Sequence, residues 1–111
     1  MPPILIASGT LTAAANSQHL VATVAGSAYS LLWQVNRSNM ASGDQTELRV
    51  YTKVVSADPY GVVFYDLFVG APSSNDLVLT SLPLTMVNAA QFTLQQNSGT
   101  GRSYTWSVLG I

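Results

Sequence analysis

Alternation with a period of two dominates this chain. In residues 29–36, Tyr29, Leu31, Trp33 and Val35 share one face, with Ser30, Gln34 and Asn36 on the other. In 47–54, Leu48, Val50 and Val54 oppose Glu47, Arg49, Tyr51 and Lys53. Ala90, Phe92 and Leu94 alternate with Gln91, Thr93 and Gln95, and Tyr104, Trp106 and Val108 with Ser103, Thr105 and Ser107. Side chains along a strand point to opposite faces by turns, so each pattern predicts a strand with one dry and one wetter face. Antiparallel sheets are built from such strands.

Residues 4–12 and 19–24 predict two further strands, the second with Leu20, Ala22 and Val24 inward. Residues 60–69 are apolar on both faces: Val62, Phe64 and Phe68 against Val63, Tyr65, Leu67 and Val69. Residues 77–84 are similar, and Pro83 near their end predicts an edge or terminal position, because proline cannot donate to a ladder. A strand apolar on both faces belongs between layers. In so small a domain the second layer is expected to come from another subunit.

Turn residues separate these runs at 25–27, 42–44, 58–61, 70–76 and 97–101, each containing glycine. Helical periodicity is missing; residues 38–41 allow one turn at most. The expectation is an all-β chain, with about eight antiparallel strands in a β-sandwich or jelly-roll-like arrangement, forming one domain over residues 1–111.

Composition then narrows what this domain can do. Apolar residues make up 48% and charged ones only 8%, where soluble domains carry about 25% charged. A core of this size cannot absorb such an imbalance, so uncharged surface is expected to be buried in an assembly. Net charge is −1, with four basic residues scattered along the chain. That excludes the cationic patch on which direct nucleic-acid binding depends. With no cysteine and one histidine, disulfides, thiolate metal sites and cysteine nucleophiles are excluded, and neither metal nor cofactor is expected. The N-terminal run Ile4-Leu5-Ile6 is too short for a signal peptide or membrane span. Synthesis in a cytoplasm and no membrane partner are therefore expected.

Candidate chemistry is sparse. His19 is the one side chain suited to proton transfer near neutral pH, and a triad would need Asp44 or Asp66 beside it. An exposed strand-end position explains it as well. Asp44 fits a local role closing the turn after Gly43, and Glu47 a cross-strand pair with a cation. Asp66, mid-strand among aromatics, is expected to meet an arginine or to lie on a rim or subunit contact, since an unpaired buried carboxylate is costly. Gly99-Thr100-Gly101-Arg102 lacks the lysine, hydroxyl and helix of a phosphate loop and reads as a hairpin turn. Asn36-Arg37-Ser38 matches a glycosylation sequon without a secretory context. Trp33 and Trp106 fall on the apolar faces of their strands, where burial is expected. Tyr51 shares its face with Glu47, Arg49 and Lys53 and suits a protein contact. No catalytic residue is expected, and the chain reads as no enzyme.

Three stretches carry a resemblance. They are Ala7-Ser8-Gly9-Thr10-Leu11-Thr12-Ala13; the run from Val35 to Tyr51, with its Gly43-Asp44 turn and Glu47-Leu48-Arg49; and Phe92-Thr93-Leu94-Gln95-Gln96 with Gly99-Thr100-Gly101-Arg102 and Trp106. Together they resemble small virion-associated structural proteins of tailed bacteriophages, of the capsid decoration kind. The resemblance implies a subunit on the capsid surface of a virion, commonly a homotrimer, that binds the major capsid protein or another virion protein and stabilises the shell. Interface candidates are Tyr51, Tyr60, Val62, Phe64, Tyr65 and Phe68. Two alternatives stay open: a tail, connector or head-fibre subunit, and a carbohydrate-binding module with Tyr51, Tyr60 and Tyr65 as its platform.

Overall fold

The computed structural model describes residues 4–25, 30–85 and 89–111. Nine strands and no helix occur among them: β1 (Ile4–Thr12), β2 (Gln18–Val24), β3 (Ser30–Asn36), β4 (Gln45–Thr52), β5 (Gly61–Val69), β6 (Val78–Thr80), β7 (Leu84–Thr85), β8 (Ala90–Ser98) and β9 (Ser103–Gly110). The first sheet runs β1-β9-β3-β6, with β7 also on β3; the second runs β2-β8-β4-β5. Every pairing is antiparallel. Gly26, Ser27 and Tyr29, read above as turn and strand start, lie outside the described residues.

β6 and β7 are one edge strand broken at 81–83. β6 pairs with Gln34–Asn36 and β7 with Ser30–Leu31, both along β3. Pro83 lies in the break, and Ser81 bridges it: its N–H donates to the Trp33 carbonyl at 2.8 Å, and its hydroxyl accepts the Trp33 N–H at 2.9 Å. A side-chain oxygen thus stands in for the missing ladder acceptor. With that strand counted once, each sheet has four positions, and the chain crosses between sheets at every connection except the β4–β5 hairpin. This is the double Greek-key wiring of a jelly roll.

The core lies between the sheets. Leu31, Trp33 and Val35 of β3 face Leu48 and Val50 of β4 and Phe92 and Leu94 of β8, joined by Tyr104 and Val108 of β9; all are buried. Trp33 meets Phe92 edge-on, with ring centroids 5.4 Å apart. Trp106 is only half-buried. It lies beside the edge strand β1, opposite Gly9, and a Cβ on Gly9 would stand 3.1 Å from its ring. The ring occupies the space a side chain at position 9 would need.

One end of the sandwich is closed by polar groups. Thr46 donates to the Tyr104 hydroxyl at 2.8 Å, which donates to Gln96 Oε1 at 3.0 Å. Gln96 Nε2 donates to the Ser98 and Thr100 carbonyls, and its Oε1 accepts the Arg102 N–H. Arg102 Nε reaches Asp44 Oδ2 at 2.9 Å, which also accepts the Ala41 N–H. The β8–β9 connection, which crosses between the sheets and is not the hairpin turn expected at 99–102, is thereby fastened to the β3–β4 connection. Asp44, expected to close a local turn, is 99% hidden and does both jobs.

Candidate interaction surface

Exposed apolar side chains concentrate in one stretch of the chain. Fourteen large hydrophobic residues are exposed among those described, and ten of them fall between Val54 and Leu82: Val54, Val55, Val62, Val63, Tyr65, Leu67, Val69, Leu77, Val78 and Leu82. They lie on β5, on β6, and in the adjoining loops. β5 is the outermost strand of its sheet and β6–β7 the outermost of the other. Arg37 joins the two edges: its guanidinium sits 5.5 Å from the Phe68 ring centre on β5 and pairs at 2.8 Å with Asp76, just before β6. A cleft of about 410 Å³ opens at the end of β5, lined by Thr52, Val54, Asp58, Pro59, Gly61, Val62 and Val63.

The interface candidates divide between two faces of β5. Register pairs Val50 with Phe64 and Thr46 with Phe68, so both phenylalanines point inward. They are half-buried against the domain's own core. Tyr65 and Leu67 pair with Arg49 and Glu47 on the outer face. The ladder shifts register between Val50 and Tyr51, leaving Val63 as an extra residue. Val62 consequently pairs with Tyr51 and joins the outer set, not the Phe64 and Phe68 set that strict alternation assigns. The second layer over β5 is partly its own core, which the one-strand reading could not distinguish from a subunit contact. Tyr60 precedes β5, with Lys53 Nζ 4.7 Å from its ring centre.

The outer face of the β2-β8-β4-β5 sheet holds a polar network around these residues. Tyr65 donates to Glu47 Oε1 at 2.9 Å, and Arg49 pairs with Glu47 Oε2 at 2.9 Å while lying 5.0 Å from the Tyr65 ring centre. Glu47's cation is thus on its own strand, two residues on, and its cross-strand partner is a tyrosine. Burial alone would raise the Glu47 carboxyl, but the Tyr65 hydroxyl and Arg49 outweigh it and hold it below the ordinary range. The same hydrogen bond raises Tyr65. Gln18 Nε2 donates to the Tyr51 hydroxyl at 2.8 Å and to Thr93 at 2.9 Å.

The opposite sheet is different in kind. Its strands β1, β3, β6, β7 and β9 contain no Asp, Glu, Lys, Arg or His. Ser8, Thr10 and Thr12 of β1 pair with Ser107, Thr105 and Ser103 of β9, and Gln34 and Asn36 of β3 continue the same rows. Here the scarcity of charge becomes a continuous neutral face. Its signal was present as hydroxyls alternating along β1 and β9, but only the strand order brings the two sets together.

His19 and the acids considered with it are far apart in role. His19 is half-buried, and its Nε2 accepts the Ala14 N–H at 2.9 Å. It is more enclosed than an exposed strand end. Asp66 is on β5 and His19 on β2, the opposite edges of one sheet, three strand spacings or about 14 Å apart. Asp44 is held by Arg102 and Ala41. Neither carboxylate hydrogen-bonds His19. Asp66 is exposed, makes no ion pair among the described residues, and accepts the Leu67 N–H at 2.9 Å. The rim position is the one it takes. No cluster of three or more His, Cys, Asp or Glu occurs among the described residues.

Comparison with protein-family models, with curated proteins and with solved structures found no match to this chain.

Proposed function

We propose that this chain is a structural subunit of a tailed-bacteriophage virion, a capsid decoration protein that seats its β5–β6 side on the major capsid protein as a homotrimer. The observation that carries the reading is that ten of the fourteen exposed large hydrophobics among the described residues lie on β5, on β6 and in the loops adjoining them. Monomeric proteins rarely expose contiguous apolar patches beyond a few hundred Å². At ~25 cal/mol per Å², burying several hundred Å² contributes several kcal/mol per copy before association costs. Repetition over a shell multiplies that gain, and no catalytic group takes part in it.

The jelly-roll wiring does not choose the function, since this architecture serves capsid and lectin domains alike. A sugar platform needs a free aromatic face. Tyr65 carries Arg49 over its ring, Tyr60 carries Lys53, and the Tyr51 hydroxyl is engaged by Gln18. Those engagements favour the protein-contact reading.

The test is electron microscopy of particles lacking the protein after its addition, alongside light scattering of the free chain. The expected result is trimers in solution and density at fixed capsid positions. Density on the tail or connector instead would move the subunit to that part of the virion. A monomer that leaves particles bare would overturn the proposal.

A further inference from the structure

We propose that the free edge of β5 accepts an extended segment of another protein carrying a lysine or arginine, and that Asp66 keeps a second copy of this chain off that edge. The inference rests on the reading of the β5 side as an assembly surface and names the chemistry of its partner.

The edge can be mapped from two hydrogen bonds. Gly70 N–H donates to the Asp44 carbonyl at 2.8 Å, toward β4. Along an antiparallel strand the N–H and C=O of one residue point to the same side, and that side alternates. Phe68, Asp66 and Phe64 therefore bond toward β4, while Val69, Leu67 and Tyr65 present their backbone groups to the free side. The second bond agrees: Leu67 N–H, the middle donor of that free row, donates to Asp66 Oδ1 at 2.9 Å. A carboxylate thus covers the central donor that any incoming strand must use. Charges placed on edge strands in this way are a recognised guard against unwanted pairing.

The guard is selective. A second β5 laid antiparallel about Asp66 sets it opposite its own counterpart, and one step either way, pairing about the strand centre at Tyr65 included, sets it opposite Phe64 or Phe68. Like charges directly opposed repel, and a carboxylate pressed on an aromatic loses its solvation. A foreign strand with a cation at that position does the reverse. It pairs with Asp66 and draws the carboxylate off Leu67 N–H, which then bonds the incoming carbonyl. Strand addition of this kind takes affinity from main-chain bonds and specificity from alternate side chains. Tyr65, Leu67 and Val69 would meet apolar residues of the same segment on the outer face.

Two labelled peptides test this against the full-length chain by fluorescence anisotropy. One copies residues 61–69 between solubilising Gly-Ser ends; the other is identical except for Asp66→Lys. The expected result is about tenfold tighter binding of the lysine peptide. The preference should collapse in about 1 M salt and on a chain carrying Asp66→Asn. That variant should itself shift to larger species in light scattering, while its circular dichroism stays unchanged. Equal affinity for both peptides, or binding of neither, would overturn the proposal. If particle occupancy persists in that case, the edge rule fails while the assembly reading stands.

Discussion

Trp33 and Trp106 occupy equivalent places in the alternating pattern, yet their surroundings differ. Trp33 sits on β3, an inner strand of its sheet, and is 1% exposed, with Phe92 against its edge. Trp106 lies beside the sheet edge, half-buried over Gly9. The period of two gives a side chain's face but not its distance from the end of the layer, which depends on strand order. Trp33→Ala should therefore cost about 3–5 kcal/mol, and Trp106→Ala about 2 kcal/mol. Urea unfolding of the two variants measures the difference. Equal losses would mean that the Trp106 site is sealed as tightly as the Trp33 site. Gly9→Ala should destabilise the chain that keeps Trp106 but cost little more on top of Trp106→Ala, because its Cβ would stand 3.1 Å from a ring that variant lacks.

At the scale of the element, β5 shows what could and could not be read in advance. Its span and its apolar character were legible in 60–69. Its faces were not, because the extra residue Val63 moves Val62 to the other side and a register shift leaves no mark in a run of valines. The long apolar stretch at 77–84 was legible too, including the edge position that Pro83 implied, but the break into β6 and β7 depends on Ser81 meeting Trp33. The two faces of β5 make separable predictions. Leu67→Asp and Val69→Asp change exposed positions and should shift the urea midpoint little, within about 0.5 kcal/mol, while lowering occupancy on particles. Phe64→Asp and Phe68→Asp put a charge against the core and should destabilise the fold by about 2 kcal/mol or more. Loss of occupancy in the phenylalanine variants alone, with unfolding unchanged, would place the contact on the inner face and contradict this division.

The whole molecule is a thin slab, with Cα extents of 40 × 32 × 19 Å, and its few charges sit where they do structural work. Three acids that would otherwise titrate in the ordinary carboxylate range are held below it. For Asp44, burial alone acts in the opposite direction, but the Ala41 N–H and Arg102 outweigh it. Glu47 is lowered by Tyr65 and Arg49 against the same opposition, and Asp76 by Ser73 and Arg37. A carboxyl depressed in the folded state binds fewer protons folded than unfolded, so stability rises with pH across its titration. Its contribution is complete above the unfolded value, near pH 4, and is lost as pH falls through the lower folded value. At the alkaline end, burial raises Tyr104. Its contribution is complete below the unfolded value, near pH 10, and is lost as pH climbs through the raised folded one. Stability measured by urea titration should accordingly be level from about pH 5 to pH 9 and fall on both sides. Asp44 is the most enclosed of the three acids and ties two connections together. Asp44→Asn should lower the plateau by about 2 kcal/mol and make the acid decline shallower. An acid limb of unchanged steepness in that variant would show that the carboxylate is not what acid titrates out of this fold. The acid could then be acting only through Glu47 and Asp76.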